Sequence, residues 1–484
     1  MNVHKNILFF SLALLSISYI FLFLFEVLLT DSPAYLYIGW QMSIGKVPYL
    51  DLFDHKGPLL YLINVIPFLI SNSWKFIYIL EGVSIIFVSI LIFNISSKIL
   101  NNSYGSLITS SFIMSFLLLF SGGNLPETYT LIILSICYLC ALNYFINEEN
   151  GIKSKKQLKI LFVLLGISIG AISLIKISNV AGICLLTAYL AFQKKSFQLC
   201  LFAFLGFCLV CMPTLIWLNI NSALQEFINQ YILFNFSYIE NVNFEERGIN
   251  LAILLLNFCA LPTIIFLAAF SLIIGIRNVF NRMDELTVIF IVIFGLDIIS
   301  QTISGMQSAQ YLLITIPSSI ALTILIFKNN FNESSIALVN KGEMLMYIFF
   351  AIVFLSLFRI IDDFKGYSSY SLVNESRSKQ INYLTSLRNL ENSIVINTSE
   401  SWLYLQANKI SSSRFFSDLG PRSNFLDTKE EYINSIIKNK PNIIITNKCN
   451  NPPPYKCYPI LGEALNSFYK KDKIIEDLEF WRLD

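Results

Sequence analysis

Charge is scarce in this chain. Asp, Glu, Lys and Arg supply 14% of its 484 residues, and the formal net charge is +2. With no field of one sign to gather a polyanion, and no zinc-finger or other nucleic-acid signature, no nucleic-acid partner is expected. Histidine is scarcer still, with two in the whole chain, so His55 stands out. No internal repeat or low-complexity tract is found, which argues against the repeat-built transporter folds. Extracytoplasmic-type cysteine usage is also sparse. Seven of the nine cysteines (Cys137, Cys140, Cys184, Cys200, Cys208, Cys211, Cys259) lie in apolar runs and read as small core residues. Cys137 and Cys140 form a C-x-x-C, but within an apolar span, which speaks against a redox role. Cys449 and Cys457 flank a run of three prolines in a polar tail, and a disulfide is expected there if that tail faces an oxidising compartment.

Apolar residues are what the chain has in excess. They make up 55% of it, and the mean hydropathy of +0.63 places it among polytopic membrane proteins. A span needs about 20 apolar residues. The first run, 7–29, meets that length and lacks the small-residue cleavage site of a removed signal peptide. Eleven spans are read: 7–29, 75–97, 106–121, 126–146, 159–175, 178–192, 197–218, 250–275, 285–303, 310–327 and 343–361. The short apolar stretch 58–70 is expected at the interface or dipping into it. With the first residue inside, the inner loops hold twelve Lys and Arg, and the outer loops before residue 362 hold five. The positive-inside rule then places the loop 31–61 and the C-terminal tail outside.

The tail, 362–484, changes character. Its apolar runs shorten to strand length in SIVINT (393–398) and NIIITN (442–447), with a helical KEEYINSIIKN (429–439) between them and Pro441 after it. Strand, helix, strand predicts a small α/β domain behind a polar linker over 362–380. The expected architecture is therefore a polytopic α-helical membrane domain, 1–361, followed by an extracytoplasmic α/β domain, 362–484.

The few charges are not spread evenly. The segment 31–61 gathers Asp31, Asp51, Asp54, His55, Lys46, Lys56 and six aromatic residues. Within or at the mouths of spans lie Glu26, Glu81, Glu127, Lys176 and Asp297, all in the outer half by this topology. Charge inside a bilayer is costly and marks polar cavities. An outward-opening cavity under the loop is expected, with local pairing or snorkelling as the plainer reading.

Four sequence blocks in order carry a resemblance: an acid just after the first span followed by DHKGPLLY (54–61), GGNLPETY (122–129), LIKISN (174–179) and Q-Y-x-x-x-x-x-P (310–317). Over about residues 1–327 the chain resembles the GT-C glycosyltransferases, in the branch with aminoarabinose transferases and protein O-mannosyltransferases. The resemblance implies a sugar donor on undecaprenyl phosphate, an envelope-glycan acceptor of O-antigen, lipopolysaccharide or teichoic-acid type, and a bacterial cytoplasmic membrane with the reaction on its outer face. It also implies dependence on a carrier-loading glycosyltransferase and a flippase. A glycosyl phosphate carries its own leaving group, so one base for the acceptor hydroxyl and cations for the phosphate suffice. Two glycosidase-like carboxylates are unnecessary.

On that resemblance the catalytic outer loop is 30–74 and a mobile outer loop is 219–249. Asp31 corresponds to the catalytic carboxylate, as base or acceptor-hydroxyl ligand, with Tyr35 one turn on; its alternative is an N-cap for a helix over 33–44. Lys56 corresponds to the phosphate-contacting lysine, against a solvated interfacial Lys. Lys176 and Arg247 are further phosphate candidates, Arg247 with a rim-charge alternative beside Glu245 and Glu246. Asp51, Asp54, Glu127, Gln310 and Tyr311 are candidates for substrate and acceptor binding, Asp51 and Asp54 also as turn makers. His55 is a candidate ligand for a divalent metal, with Asp51, Asp54 and Glu127 as further donors. Relatives often have His where Gln310 stands, and Gln is a poor ligand. Trp40, Tyr49, Phe53 and Tyr61 read as sugar-stacking or headgroup-belt aromatics. A lipid-linked glycan transporter or flippase, a glycan polymerase and a non-catalytic scaffold are the competing readings.

Overall fold

In the computed structural model, apolar runs and caps set the element boundaries. The structure describes residues 2–29, 31–71, 73–149, 151, 154–240, 248, 261–265, 267–268, 279, 281–302, 308–331, 357, 360–366, 371–372, 374–387, 394–398, 400–419, 428–449 and 460–484. The helices in chain order are α1 (Asn2–Phe25), α2 (Ser32–Ser43), α3 (Pro58–Ser71), α4 (Phe76–Ile99), α5 (Asn102–Leu118), α6 (Pro126–Glu149), α7 (Lys155–Ser173), α8 (Ala181–Gln193) and α9 (Phe197–Ile220). They continue with α10 (Leu224–Phe227), α11 (Phe234–Glu240), α12 (Glu285–Thr302), α13 (Thr315–Phe331), α14 (Glu375–Ser386), α15 (Trp402–Ala407), α16 (Thr428–Asn439) and α17 (Gly462–Phe468). The chain divides into two compact units. The first holds 1–21, 78–214 and 242–366; the second holds 22–77, 215–241 and 367–484. The loop 31–61 and the tail therefore fall in one unit.

Among the described residues, six helices are long and apolar enough to cross a membrane: Lys5–Phe25, Phe76–Ile99, Pro126–Glu149, Lys155–Ser173, Phe197–Ile220 and Ala309–Asn330. The difference from eleven has local causes. Helix α5 has 17 residues and is rich in Ser and Thr, and the apolar helix Ile177–Gln193 is equally short. Helix α12 ends at Thr302, where the described residues break off. The expected spans 250–275 and 343–361 lie largely outside the described residues.

Within the first unit, polar contacts tie helix ends together. At one end Lys194 contacts Glu148 at 2.6 Å, Lys328 pairs with Glu149, and Lys98 donates to Asn143 and Asn147 at 3.2 and 3.1 Å. The ends of α4, α6, α8 and α13 thus meet, as the alternating topology requires. Helix α5 is buried along Gly105–Leu117, so its hydroxyls face protein; Ser115 donates to the Thr263 hydroxyl at 3.2 Å and receives the Thr263 N–H at 3.0 Å.

Within the second unit, α2 packs tightly on α3, and the tail forms a four-stranded sheet in the order β1-β2-β4-β3. Strand β1 (Ile394–Asn397) pairs in parallel with β2 (Ile443–Asn447), as the strand–helix–strand reading predicts. Strands β3 (Tyr469–Ile475) and β4 (Leu478–Leu483) add an antiparallel hairpin that the sequence pattern hid. The expected linker is also corrected in part. Asn374 caps α14 by accepting the Ser376 N–H at 2.9 Å, and Arg377, Gln380 and Leu384 are buried on one face, so 375–380 is helical. Cys449 is held in a disulfide, and Cys457 lies outside the described residues. Phe53 of the loop enters the tail's hydrophobic core with Val395, Phe415, Tyr432, Ile444 and Trp481. Burying such a ring is worth about 1.5–3 kcal/mol.

Candidate active site

Asp31 stands at the N-cap position of α2 but makes no side-chain capping bond. Its carbonyl receives the Ala34 and Tyr35 N–H groups at 3.1 and 3.4 Å, and Pro33 starts the helix without a donor to satisfy. The backbone therefore starts the helix while the exposed carboxylate is left out of the cap. Tyr35, one turn on, is buried in α2. Tyr37 on the next position stacks on Tyr404 with centroids 4.7 Å apart, and its hydroxyl accepts the Ser411 N–H at 2.9 Å.

The D-H-K-G-P element is built around a buried carboxylate. Asp54 Oδ2 accepts the Tyr61 hydroxyl at 2.6 Å, and Oδ1 lies 3.3 Å from His55 Nδ1. Burial first, then the negative charge of Asp54, pushes the Tyr61 phenol well above its ordinary value, so it remains a donor. On the far side of the ring, His55 Nε2 lies 3.0 Å from Lys56 Nζ. An ammonium can only donate, so the neutral ring accepts at Nε2 and carries its proton on Nδ1, facing Asp54. The Lys56 backbone is fixed as well. Its carbonyl accepts the Tyr49 hydroxyl at 2.6 Å, and its N–H donates to the Tyr61 oxygen at 3.1 Å. Carboxylate, imidazole and ammonium form an ordered row. Asp51 lies apart from it: the carboxylate accepts the Val47 N–H at 2.7 Å with Lys46 3.9 Å away, a turn-making role.

Sequence spacing did not reveal the outer supports of this row. Gln230, in the π-helical turn Ile228–Leu233 between α10 and α11, donates to the Tyr49 carbonyl at 2.7 Å and accepts the Asp54 N–H at 3.3 Å. Asn235 donates to the His55 carbonyl at 3.0 Å. Arg414 of the tail donates to the Tyr49 carbonyl at 3.3 Å, and its own carbonyl receives the Phe53 N–H at 2.9 Å. These partners come from 176 to 365 residues away, beyond the reach of any local motif. The one local signal was i, i+4 spacing between Glu226 and Gln230, which hydrogen-bond at 2.9 Å.

The remaining candidates lie in the first unit. Glu127, in the first turn of α6, contacts Lys176 Nζ at 2.6 Å, and the same ammonium lies 3.9 Å from the centroid of the Tyr311 ring. Gln310 and Tyr311 share a 3₁₀ segment, Ala309–Ile314, leading into α13. Beyond this pair a polar seam continues. Asn179 donates to Thr130 and receives Gln301, both at 3.1 Å, Gln301 reaches Ser300 at 2.9 Å, and Ser318 donates to Asp297 at 2.8 Å. A Cβ at Gly182 would meet Asp297 Oδ1 at 2.4 Å, so only glycine leaves room for that carboxylate. Glu81 is buried in α4 and accepts the Asn124 N–H at 2.7 Å; Gly123, at φ +77°, lies so close that a Cβ would meet Glu81 Oε2 at 2.7 Å. The GGNLPETY block thus folds onto Glu81. In the second unit, Glu26 pairs with Lys75.

Asp31, Tyr35, Asp51, Asp54, His55 and Lys56 therefore share the second unit, and Glu127, Lys176, Gln310 and Tyr311 share the first. Arg247 and most of the loop 241–249 lie outside the described residues. Glu26, Glu81, Glu127 and Asp297 each have a partner in their own unit, as the plainer expectation of local pairing has it. The donor set around His55 does not fit a divalent cation in this arrangement. Both ring nitrogens face protein groups, and no group of three or more His, Cys, Asp or Glu side chains able to hold a metal gathers among the described residues.

No protein-family model and no curated protein matches the chain. Among solved structures it is similar to the crystal structure of ArnT from Cupriavidus metallidurans bound to undecaprenyl phosphate, with a TM-score of 0.61 and 10% identity over 98% of this chain and 97% of that one. The same ArnT in the apo state gives a TM-score of 0.61 and 10% identity over 99% and 98% of the two chains. At such identity the likeness is one of fold, and it extends through the tail. The chain thus shares the fold of ArnT over nearly the whole of both chains.

Proposed function

We propose that this chain is a membrane glycosyltransferase that moves a sugar from a polyprenyl-phosphate carrier, undecaprenyl phosphate in bacteria, to a hydroxyl of a cell-envelope glycan. The observation that carries the reading is the row Asp54–His55–Lys56, which holds an ammonium against an imidazole in the same unit as Asp31. The fold likeness to a protein crystallised with undecaprenyl phosphate supports it.

In this reading Asp31 takes the proton of the acceptor hydroxyl as its oxygen attacks the anomeric carbon. The bond from that carbon to the phosphate oxygen breaks, and its electron pair leaves on the phosphate. Lys56 meets the charge that develops there, an electrostatic contribution that grows along the reaction coordinate. One displacement inverts the anomeric centre. His55 holds the ammonium by a neutral acceptor, so exchanging that one contact for a phosphate oxygen leaves the ring uncharged. Charge neutralisation is assigned to Lys56, and no step runs through a metal. Lys176 and Arg247 are the further phosphate candidates, with Tyr35, Gln310 and Tyr311 for substrate. Acceptor class, carrier-loading enzyme and flippase follow from the same reading, with the reaction on the outer face of the cytoplasmic membrane.

The test is transfer by purified Asp31→Asn protein with a synthetic polyprenyl-phosphate sugar. Loss of a general base predicts a fall of about 10²–10⁴ in turnover, with carrier binding retained. Wild-type turnover in that variant would remove Asp31 as base. Full activity after chelation is expected, and loss restored by a divalent cation would return His55 to the metal assignment.

A further inference from the structure

We propose that Arg414 of the tail is a positioning residue for the loop that carries Lys56, so that the soluble domain sets the geometry of donor-phosphate binding. The inference rests on the assignment of Lys56 above. The observation behind it is convergence. One guanidinium reaches three separate segments: the Tyr49 carbonyl at 3.3 Å, the Glu226 carboxylate of α10 at 3.3 Å, and Glu431 of α16. It also lies over the Phe53 and Phe415 rings, 5.4 and 5.3 Å from their centroids.

Each contact bears on the row that ends in Lys56. Tyr49 sits at φ +70°, a backbone conformation that costs energy for a residue with a Cβ and persists only when its surroundings impose it. Its carbonyl is gripped from two sides, by Arg414 and by Gln230, and its hydroxyl holds the Lys56 carbonyl. Four residues on, Phe53 is pinned by the Arg414 carbonyl and by burial in the tail's core, and Asp54 follows directly. Removing the guanidinium leaves Gln230 alone to hold the Tyr49 carbonyl and leaves Glu226 and Glu431 without their shared cation. An Arg suits the place because its planar fork serves several acceptors at once, whereas a Lys is a point charge. No feature of the local sequence SSSRFF marks this role.

The experiment has two arms on the full chain in detergent or lipid. In the first, Arg414→Ala and Arg414→Gln are assayed with a polyprenyl-phosphate sugar. The donor KM is expected to rise about tenfold or more, the weight of a lost charge-assisted contact network, while kcat changes far less; Arg414→Lys is expected to recover part of the loss. In the second, Lys56→Cys is introduced with and without Arg414→Ala, and the rate of maleimide labelling at position 56 is read by peptide mass spectrometry. Labelling is expected to accelerate several-fold when Arg414 is removed. An unchanged donor KM together with an unchanged labelling rate overturns the proposal. So does a fall in kcat that tracks loss of folded protein at constant KM, because that outcome means a structural role only. The labelling arm needs no turnover: accelerated labelling in a chain inactive with such donors would sustain the positioning role while sinking the glycosyltransferase reading.

Discussion

Two lysines of this chain have opposite surroundings. Lys176, in the first unit, contacts a carboxylate directly at 2.6 Å, with Glu127 at 2% side-chain exposure. Lys56, in the second, contacts a neutral imidazole at 3.0 Å, and the carboxylate stands behind the ring. An ammonium that gives up Glu127 leaves a buried anion, which is expensive. One that gives up His55 leaves a neutral ring, which is cheap. Of these two contacts, the one to His55 is the less costly to exchange. Interposing a histidine between acid and lysine thus lowers the cost of exchanging that one contact.

The largest effect should come from breaking the first arrangement. Glu127→Gln removes the carboxylate that the Lys176 ammonium contacts and is expected to cost about 3–5 kcal/mol of stability, read as a fall in the melting temperature of the purified protein. The double variant with Lys176→Met should recover most of it. A tolerated Glu127→Gln would mean that the pair does not hold the helices. If the double variant lost donor binding as badly as Lys56→Ala, the two lysines would serve the same phosphate and the contrast would fail. Lys56→Ala itself should weaken donor binding by about 10- to 100-fold, the worth of one charge-assisted hydrogen bond, with little change in stability. Equilibrium binding of a polyprenyl-phosphate sugar measures it.

How far the sequence foretold this site depended on distance along the chain. The grouping of Asp54, His55 and Lys56 was legible because the three adjoin in sequence beside their turn residues. Six of the eleven expected spans coincide with helices long and apolar enough to cross a membrane, and β1, β2 and α16 were legible from their apolar patterns as well. Helix α5 was less so, because burial among neighbouring helices lets it carry hydroxyls that a lipid-facing helix could not. Hairpin β3–β4 was hidden because β3 is an edge strand whose Lys470, Lys471 and Lys473 are exposed, leaving apolar burial only at its two ends. Glu81 read as part of a cavity, whereas it receives the N–H of a glycine turn 43 residues away. Gln230 and Arg414 gave no signal, since a polar residue that supports a carbonyl 181 or 365 residues away carries no local pattern.

A smaller effect sharpens the imidazole side of the comparison. Tyr61→Phe removes the donor to buried Asp54 and should cost about 1–3 kcal/mol. With its anchor loosened, Asp54 orients His55 less firmly, so donor affinity should fall modestly while Lys56 remains present. A Tyr61→Phe variant with wild-type melting temperature and affinity would show that the row does not depend on the phenol.

The smallest effect concerns the rim of the tail that carries Arg414. Tyr383 of α14 donates to Asp472 of β3, and burial, that hydrogen bond and the negative charge push its phenol up to about 12. An unfolded tyrosine titrates near about 10. The folded value is the higher one, so the stabilisation is complete below about pH 10 and is lost as pH rises towards about 12. Much of the side chain faces water, which keeps the effect small. Melting temperature should therefore decline between pH 10 and 12, and Tyr383→Phe should flatten that decline slightly without changing stability at pH 7. An equal decline in the variant would assign the alkaline loss to the deeply buried tyrosines whose phenols burial also raises, Tyr49 and Tyr61 in the loop and Tyr404 and Tyr432 in the tail.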